Sequence, residues 1–423
     1  MNKMKETGVP WLPEIAEDFS LGYVKQYFYV SKDLSDEGEP ERVLKLARAG
    51  IVEKDVTTNE GQMAASYSCY NKVQVGDLLL NPMDLYSGAN CNVSELNGVI
   101  SPAYSNLRAK KAGSVVPKFY DYYFKSQYWL MAMFAHGKGV SFDNRWTLNN
   151  DSLRAYEIPV APYAVQQRIV ERIQSEERKV DTLIANVQAQ IEKLKAYKQS
   201  LITEVVTKGL EPNVPMKDSG VEWIGKIPAH WDVVKTGRLF KENNRKPYGN
   251  DTPLSLSQVD GLIATDDMKE SSLKTSTYDN WKRVELGDLV LNRFKAHLGV
   301  LFAATLTGIV SFHYGVYEAR QSLVPKFYEY LYHSDQYRAI LGNASNGMVV
   351  GLQNLSNLNF YSTYSLYPAY EEQEEIVAYL DKKCSQIDQL IALKQSKIEK
   401  LEQYKKSLIY EYVTGKKQVE VVL

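Results

Sequence analysis

The sequence predicts an α+β protein made of two similar α/β domains separated by two long helices, which form an antiparallel coiled coil within a pseudo-two-fold internal repeat. Three observations predict it. Five sequence blocks recur in the same order at offsets of 207 to 212 residues. Each copy opens with a stretch rich in Gly, Asn, Ser and short apolar runs. Each copy closes with a long run of helical apolar spacing, the first of which, Gln166 to Lys208, has neither Gly nor Pro.

The blocks run in order. Gly8-Val9-Pro10-Trp11-Leu12 returns as Gly220-Val221-Glu222-Trp223-Ile224, and Val75 to Asn81 returns as Leu286 to Asn292. Gly98-Val99-Ile100-Ser101 returns as Gly308-Ile309-Val310-Ser311, with Tyr104 answering Tyr314. Val116 to Tyr120 returns as Val324 to Tyr328, and Tyr197 to Ile202 as Tyr404 to Ile409. A period this long suits a domain with an appendage, not a solenoid. Residues 1–161 are expected to form the first domain, 162–208 the first helix and 209–218 a linker. The second domain is 219–368, the second helix 369–414 and the tail 415–423.

Within the domains, Val75–Asn81 and Leu286–Asn292 read as strands opened by Gly-Asp turns. Phe119 to Met133 and Phe327 to Leu341 read as amphipathic helices. In the long runs the apolar positions step by three, four or seven. Ile173, Val180, Leu183, Val187, Leu194 and Leu201 are expected to face Leu380, Ile387, Leu390, Ile398, Leu401 and Leu408. About 40 residues make a rod of roughly 60 Å. A linker of about 13 residues spans at most roughly 45 Å, so an antiparallel pair is the arrangement the chain can reach. The polar Gln188, Gln190 and Gln395 lie outside this stripe and are expected to face a partner.

Composition sets bounds. Lys plus Arg is 50 and Asp plus Glu is 51, a net charge of −1, so a uniformly basic nucleic-acid binder is not expected. The three cysteines have no metal-type spacing and the five histidines do not cluster, so no metal site is expected. No signal peptide and no run of about 18 apolar residues is seen. The expected location is the cytoplasm, without a membrane.

Charge is local. Arg108, Lys110, Lys111, Lys118, Lys125, Lys138 and Arg145 are opposed by only Asp121 and Asp143. Lys235, Arg238, Lys241, Arg245 and Lys246 face only Glu242, and Asn292-Arg293-Phe294-Lys295-Ala296-His297 is a third cluster. Such groups position phosphates and can read base edges. The candidate DNA contacts are Asn81, Tyr104, Arg108, Lys110, Lys111, Lys138, Arg145, Arg245, Lys246, Asn292, Arg293, Lys295, His297, Tyr314 and Arg320. The competing reading is a solvated charged face over core tyrosines. Asn81-Pro82-Met83-Asp84 lacks the second Pro and the aromatic of an amino-methyltransferase tetrad, and no Walker A loop or G-x-S-x-G is present. No catalytic residue is expected.

Lys217-Asp218-Ser219-Gly220-Val221-Glu222-Trp223-Ile224-Gly225-Lys226-Ile227-Pro228-Ala229-His230-Trp231, Ile100 to Tyr104, and Pro368 with Glu372 to Ile376 resemble blocks of the specificity subunits of type I restriction-modification enzymes. The likeness covers nearly the whole chain. It implies two target-recognition domains, each reading one half of a split, asymmetric double-stranded DNA site. It implies helices that set the spacing and bind two modification subunits, with restriction subunits added for cleavage. S-adenosylmethionine, ATP and Mg²⁺ would belong to those partners, and none to this chain. Two departures stand out: Ser311-Phe312-His313-Tyr314 against Ser101-Pro102-Ala103-Tyr104, and Val165-Gln166 against Glu372-Gln373. A structural adaptor joining two proteins without DNA, and a catalytic methyltransferase or nuclease, are the rival readings.

Overall fold

The computed structural model describes residues 2–36, 42–47, 50–56, 66–83, 85, 90–139, 146–258, 260–268, 278, 280–345 and 354–419. The chain divides into two compact units, Met1–Val187 with Ser396–Leu423, and Gln188–Gln395.

The first unit is organised by an antiparallel sheet in the order Phe28–Val30, Ser105–Ala109, Leu78–Leu80, Cys91–Val93. Leu78, Leu79 and Leu80 are all buried because the sheet is covered on both faces. Leu78 and Leu80 join the main core under the helix Pro117–Trp129, while Leu79 meets Leu44, Val73 and Ile100 on the other side. Alternate side chains of a strand point to opposite faces, so a doubly covered strand reads as a continuous apolar run. A second sheet, Gly50–Glu53, Val43–Ala47, Gly98–Ile100, Asn71–Val73, supplies that other side.

The second unit repeats the plan. Its four-stranded sheet is Phe240–Glu242, Tyr314–Ala319, Leu289–Asn292, Leu301–Ala303. Leu289 and Leu291 enter the main core, and Val290 packs with Leu254, Val284, Val310 and Val316. The Gly-Asp turns precede these strands with Gly76 at φ 92° and Gly287 at φ 83°. Asp77 and Asp288 close them by accepting from the backbone N–H of Gln74 and Glu285, at 2.9 and 2.8 Å.

The amphipathic helices begin earlier than their apolar pattern, at Pro117 and Pro325, since proline fits the first helical position. The second is interrupted. Pro325–Tyr332 ends, extended Ser334 stands at the cap, and Asp335–Asn343 follows.

The long helices are Tyr163–Lys208 and Tyr370–Val413. In the first unit Arg172 donates to the Tyr412 hydroxyl (3.1 Å) and Lys405 pairs with Asp181 (2.8 Å). In the second, Lys394 donates to Gln190 (2.6 Å) and Lys198 pairs with Asp388 (2.7 Å). In each unit the partner's number falls as the first helix advances, so the two segments run antiparallel. Ile173, Val180, Val187, Leu201, Leu380, Ile387, Ile398 and Leu408 are buried, and Leu194 and Leu401 partly so. Leu183 and Leu390 are not in the seam: they are 49% and 48% exposed. A helix of 3.6 residues per turn takes the four-residue step at this point, and Ile184 and Ile391 occupy the inward positions.

One glutamine in each unit ties the start of a long helix to its domain. Gln166 accepts from the Val116 N–H and donates to the Ala161 carbonyl, both at 2.8 Å. Gln373 does the same with Val324 and Pro368, both at 2.9 Å. Both side chains are fully buried. The neighbouring Val165 and Glu372 differ for a local reason. Fully buried Trp231 donates its indole N–H to Glu372 at 2.9 Å. In the first unit Phe19 precedes the corresponding strand, and a phenyl ring asks for no acceptor.

Replacing Gln166 or Gln373 by Ala strands a buried N–H and a buried carbonyl. Each change is expected to cost about 2 kcal/mol, read as an earlier urea transition; an unmoved transition would deny the tie. His333 supplies a pH dependence. Burial holds its pKa below the ordinary value, against the opposing pull of Glu329, and its Nε2 is buried without a partner among the described residues. The unfolded chain therefore binds the proton more readily, and stability falls as pH drops below the unfolded value of about 6.5. His333→Gln is expected to flatten the melting temperature between pH 7 and 5, compared with the parent chain.

Candidate nucleic-acid interface

In each domain the strand at the centre of the main sheet separates the candidate residues into two ends. Before Ser105–Ala109 lies the turn Ser101 to Tyr104, closed by the Tyr104 N–H on the Ser101 carbonyl (3.1 Å). Ser105 pairs with Leu80, so Asn81 lies beside this turn. Lys138 comes to the same end, because its backbone pairs with Thr147 and the Leu148 N–H reaches the Pro82 carbonyl. After the strand come Lys110 and Lys111, both exposed. Five residues at about 3.4 Å each put them roughly 17 Å from the turn.

The second domain repeats this division. Tyr314 pairs with Asn292, and the turn Ser311 to Tyr314 closes with the same bond at 2.9 Å. The segment Arg293–Leu298 follows Asn292 directly and carries Arg293, exposed Lys295 and half-buried His297. Arg320 lies at the far end, exposed, its Nε on the Phe240 carbonyl. Lys246 is exposed beside Arg245. Arg145 lies outside the described residues.

Several candidates have internal work. Arg108 donates to both carboxylate oxygens of Asp77, at 2.8 and 2.7 Å, and that bond raises its pKa further. Arg245 reaches Asp288 at 2.5 Å and Glu318 at 2.7 Å. Arg293 reaches Glu242 at 2.5 Å and Asn357 at 2.7 Å. Arg108 and Arg245 neutralise the buried carboxylates of Asp77 and Asp288, and Arg293 the half-buried one of Glu242. The arrangement is exchanged between copies. Arg108 and Glu318 hold the same register on the central strand, each one residue after the partner of Leu78 or Leu289, which are Leu107 and Tyr317, so the second copy brings its cation from Arg245 instead.

Asn81 and Asn292 turn the chain at the strand end, accepting from the N–H of Met83 (3.0 Å) and Phe294 (3.1 Å). Tyr104 and Tyr314 pack against the second-layer clusters, as framework does. The residues at the turn corners, Pro102 and Ala103 against Phe312 and His313, were visible in the sequence only as a mismatch between copies. Their exposure at the strand end makes them candidates. Among the described residues, no group of His, Cys, Asp and Glu is arranged to hold a metal ion, and no helix is long and apolar enough to cross a membrane.

The two ends predict different responses. Arg108→Ala leaves Asp77 buried without its cation and is expected to cost about 3 kcal/mol. Lys110→Ala, on an exposed side chain, should stay within about 0.5 kcal/mol. Equal melting curves for the two variants would overturn the internal role of Arg108.

No protein-family model matches the chain. The type I restriction enzyme MjaVIII specificity subunit of Methanocaldococcus jannaschii is 24% identical over 238 residues, 54% of this chain and 47% of that protein. The matched part thus spans about half the length of this curated relative. A chain from a structure of complex assembly and conformational transition in the type I R-M system matches with a TM-score of 0.67 at 13% identity. It covers 94% of this chain and 98% of that one. The crystal structure of the HsdS subunit from Thermoanaerobacter tengcongensis matches with a TM-score of 0.54 at 15% identity, covering 95% and 98%. Backbone and sequence thus carry one and the same likeness: this chain resembles the specificity subunits of type I restriction-modification enzymes, and its fold is theirs.

Proposed function

We propose that the chain is the DNA-recognition subunit of a type I restriction-modification assembly. Each domain, 1–161 and 219–368, reads one half of a split, asymmetric site on double-stranded DNA. The long helices set the spacing between halves and dock two modification subunits, with restriction subunits joining for cleavage. The chain carries no catalytic residue of its own. S-adenosylmethionine, ATP and Mg²⁺ act on the partner subunits.

The observation that carries the reading is the repeated strand end. One scaffold occurs twice, with the same closed turn beside the same asparagine, and different residues at its corners. Two different sequences read by one scaffold require this pattern. An adaptor between two proteins would need no such divergence at matched turns.

The test is a base-resolution methylome of cells carrying the chain with its modification subunit, against cells carrying that subunit alone. The expected result is a new motif of two short unequal halves around a fixed spacer. Assembly of the complex without any motif would overturn the reading in favour of the adaptor. Methyl transfer or cleavage by the purified chain alone would overturn its non-catalytic role.

A further inference from the structure

The two closed turns differ in a way that turn chemistry does not explain. Turn corners favour proline and small or polar residues, and Pro102-Ala103 obeys that preference. The second copy places Phe312 and His313 there. Phe312 is 52% exposed and His313 is exposed, and their rings lie 3.9 Å apart between centroids. Phe294, 37% exposed, adds a third ring 5.4 Å from His313. Next to it, Lys295 is exposed and has no ion pair among the described residues. Three exposed rings beside a cation add little to a fold that the first copy builds without them. A local rule broken without structural gain marks a functional position.

The cluster is held from beneath. Glu242 accepts from Lys282 (2.7 Å), from Arg293 (2.5 Å) and from Asn357. Lys282 also donates to the Tyr314 carbonyl at 2.9 Å, which fixes the end of the turn. Arg293 is the residue before Phe294. One carboxylate therefore fixes both the segment and the turn from which the rings project. The corresponding register position in the first unit, opposite Leu107 as Glu242 is opposite Tyr317, holds Val30. Hub and rings occur together in one copy and are both missing from the described residues of the other.

Building on the proposed DNA-recognition role, we infer that Phe312, His313 and Phe294 form a stacking wedge through which the second domain reads its half-site. Lys295 contacts the flanking phosphate, and Glu242 is the positioning residue. Aromatic and apolar side chains unstack a base step most cheaply at pyrimidine–purine steps. The wedge therefore selects a half-site containing a TA, CA or TG step. The first domain, with Pro102-Ala103 at its corner, reads its half without a wedge of this kind.

The experiment uses the full chain with its modification subunit. Methylomes are compared for the parent, for Phe312→Pro with His313→Ala, which installs the first copy's corner, and for Phe294→Ala. The expected result is a parent motif with a pyrimidine–purine step in one half only. Both variants keep the other half unchanged and lose at least tenfold in methylation at the stepped half, or relax at that step. A Phe312→Ala single variant covers the case in which the double change disturbs folding, with unaltered melting as the control. Glu242→Gln should weaken the same half, and Lys295→Ala should lower the salt slope of binding by about 1 without changing the motif. A split parent motif that all ring variants leave intact would overturn the wedge and spare the recognition role. A parent with no motif would overturn both.

Discussion

Neither domain closes its core with its own contiguous chain. The first unit's core takes in Leu408, Ile409, Tyr412 and Val413 from the end of the second long helix. There, Gly415 stands where a Cβ would lie 2.5 Å from that of Ala16, and the Ala16 N–H bonds the Thr414 carbonyl at 2.9 Å. The second unit's core takes in Leu201, Ile202, Val205 and Val206 from the end of the first helix. Helices of more than forty residues with one apolar stripe cannot remain single in water. The stripe is covered partly by the antiparallel helix and partly by a domain, and that sharing couples folding of each domain to a segment far away in sequence.

This dependence explains the tie residues. A helix that serves a domain and a partner helix must leave the domain at a fixed angle. Gln166 and Gln373 do that with one acceptor and one donor each, bonding backbone groups that the helix start would otherwise strand. Tyr122 and Tyr330 add a second hold, donating to Glu177 and Asp381 at 2.5 and 2.6 Å. Burial, reinforced by those carboxylates, raises both tyrosine pKa values, so the hydroxyls keep their protons and remain donors.

Much of this was legible in the residues. The repeat, the α+β texture, the Gly-Asp strand starts and the helical runs follow from spacing, and spacing is what local physics reads. The remainder depends on contacts between distant segments. Nothing near Leu183 shows that Ile184 takes the inward position, because both fit a mixed step of three and four. Nothing near Arg108 shows that Asp77, 31 positions earlier, holds its guanidinium. Counting charge along the chain therefore marked three arginines as open to DNA that the fold holds on carboxylates, two of them buried. The Val165 and Glu372 mismatch, a departure at a helix start, records whether a buried ring carries an N–H.

Duplication then explains where divergence is tolerated. The central strands, the Gly-Asp turns and the glutamine ties each join two or more segments, so a change in one copy requires a matching change in its partner. The exchange of Arg108 for Glu318 with Arg245 is such a matched change, and it keeps a buried charge neutral in both copies. Turn corners join nothing, and their side chains point away from the core. They can change alone, and between Pro102-Ala103 and Phe312-His313 they have. Where a corner gained bulk, the fold acquired a carboxylate beneath it in Glu242, held by a lysine, an arginine and an asparagine. Fixing exposed rings in advance lowers the ordering cost of any contact they make. That support has no use unless the rings meet something.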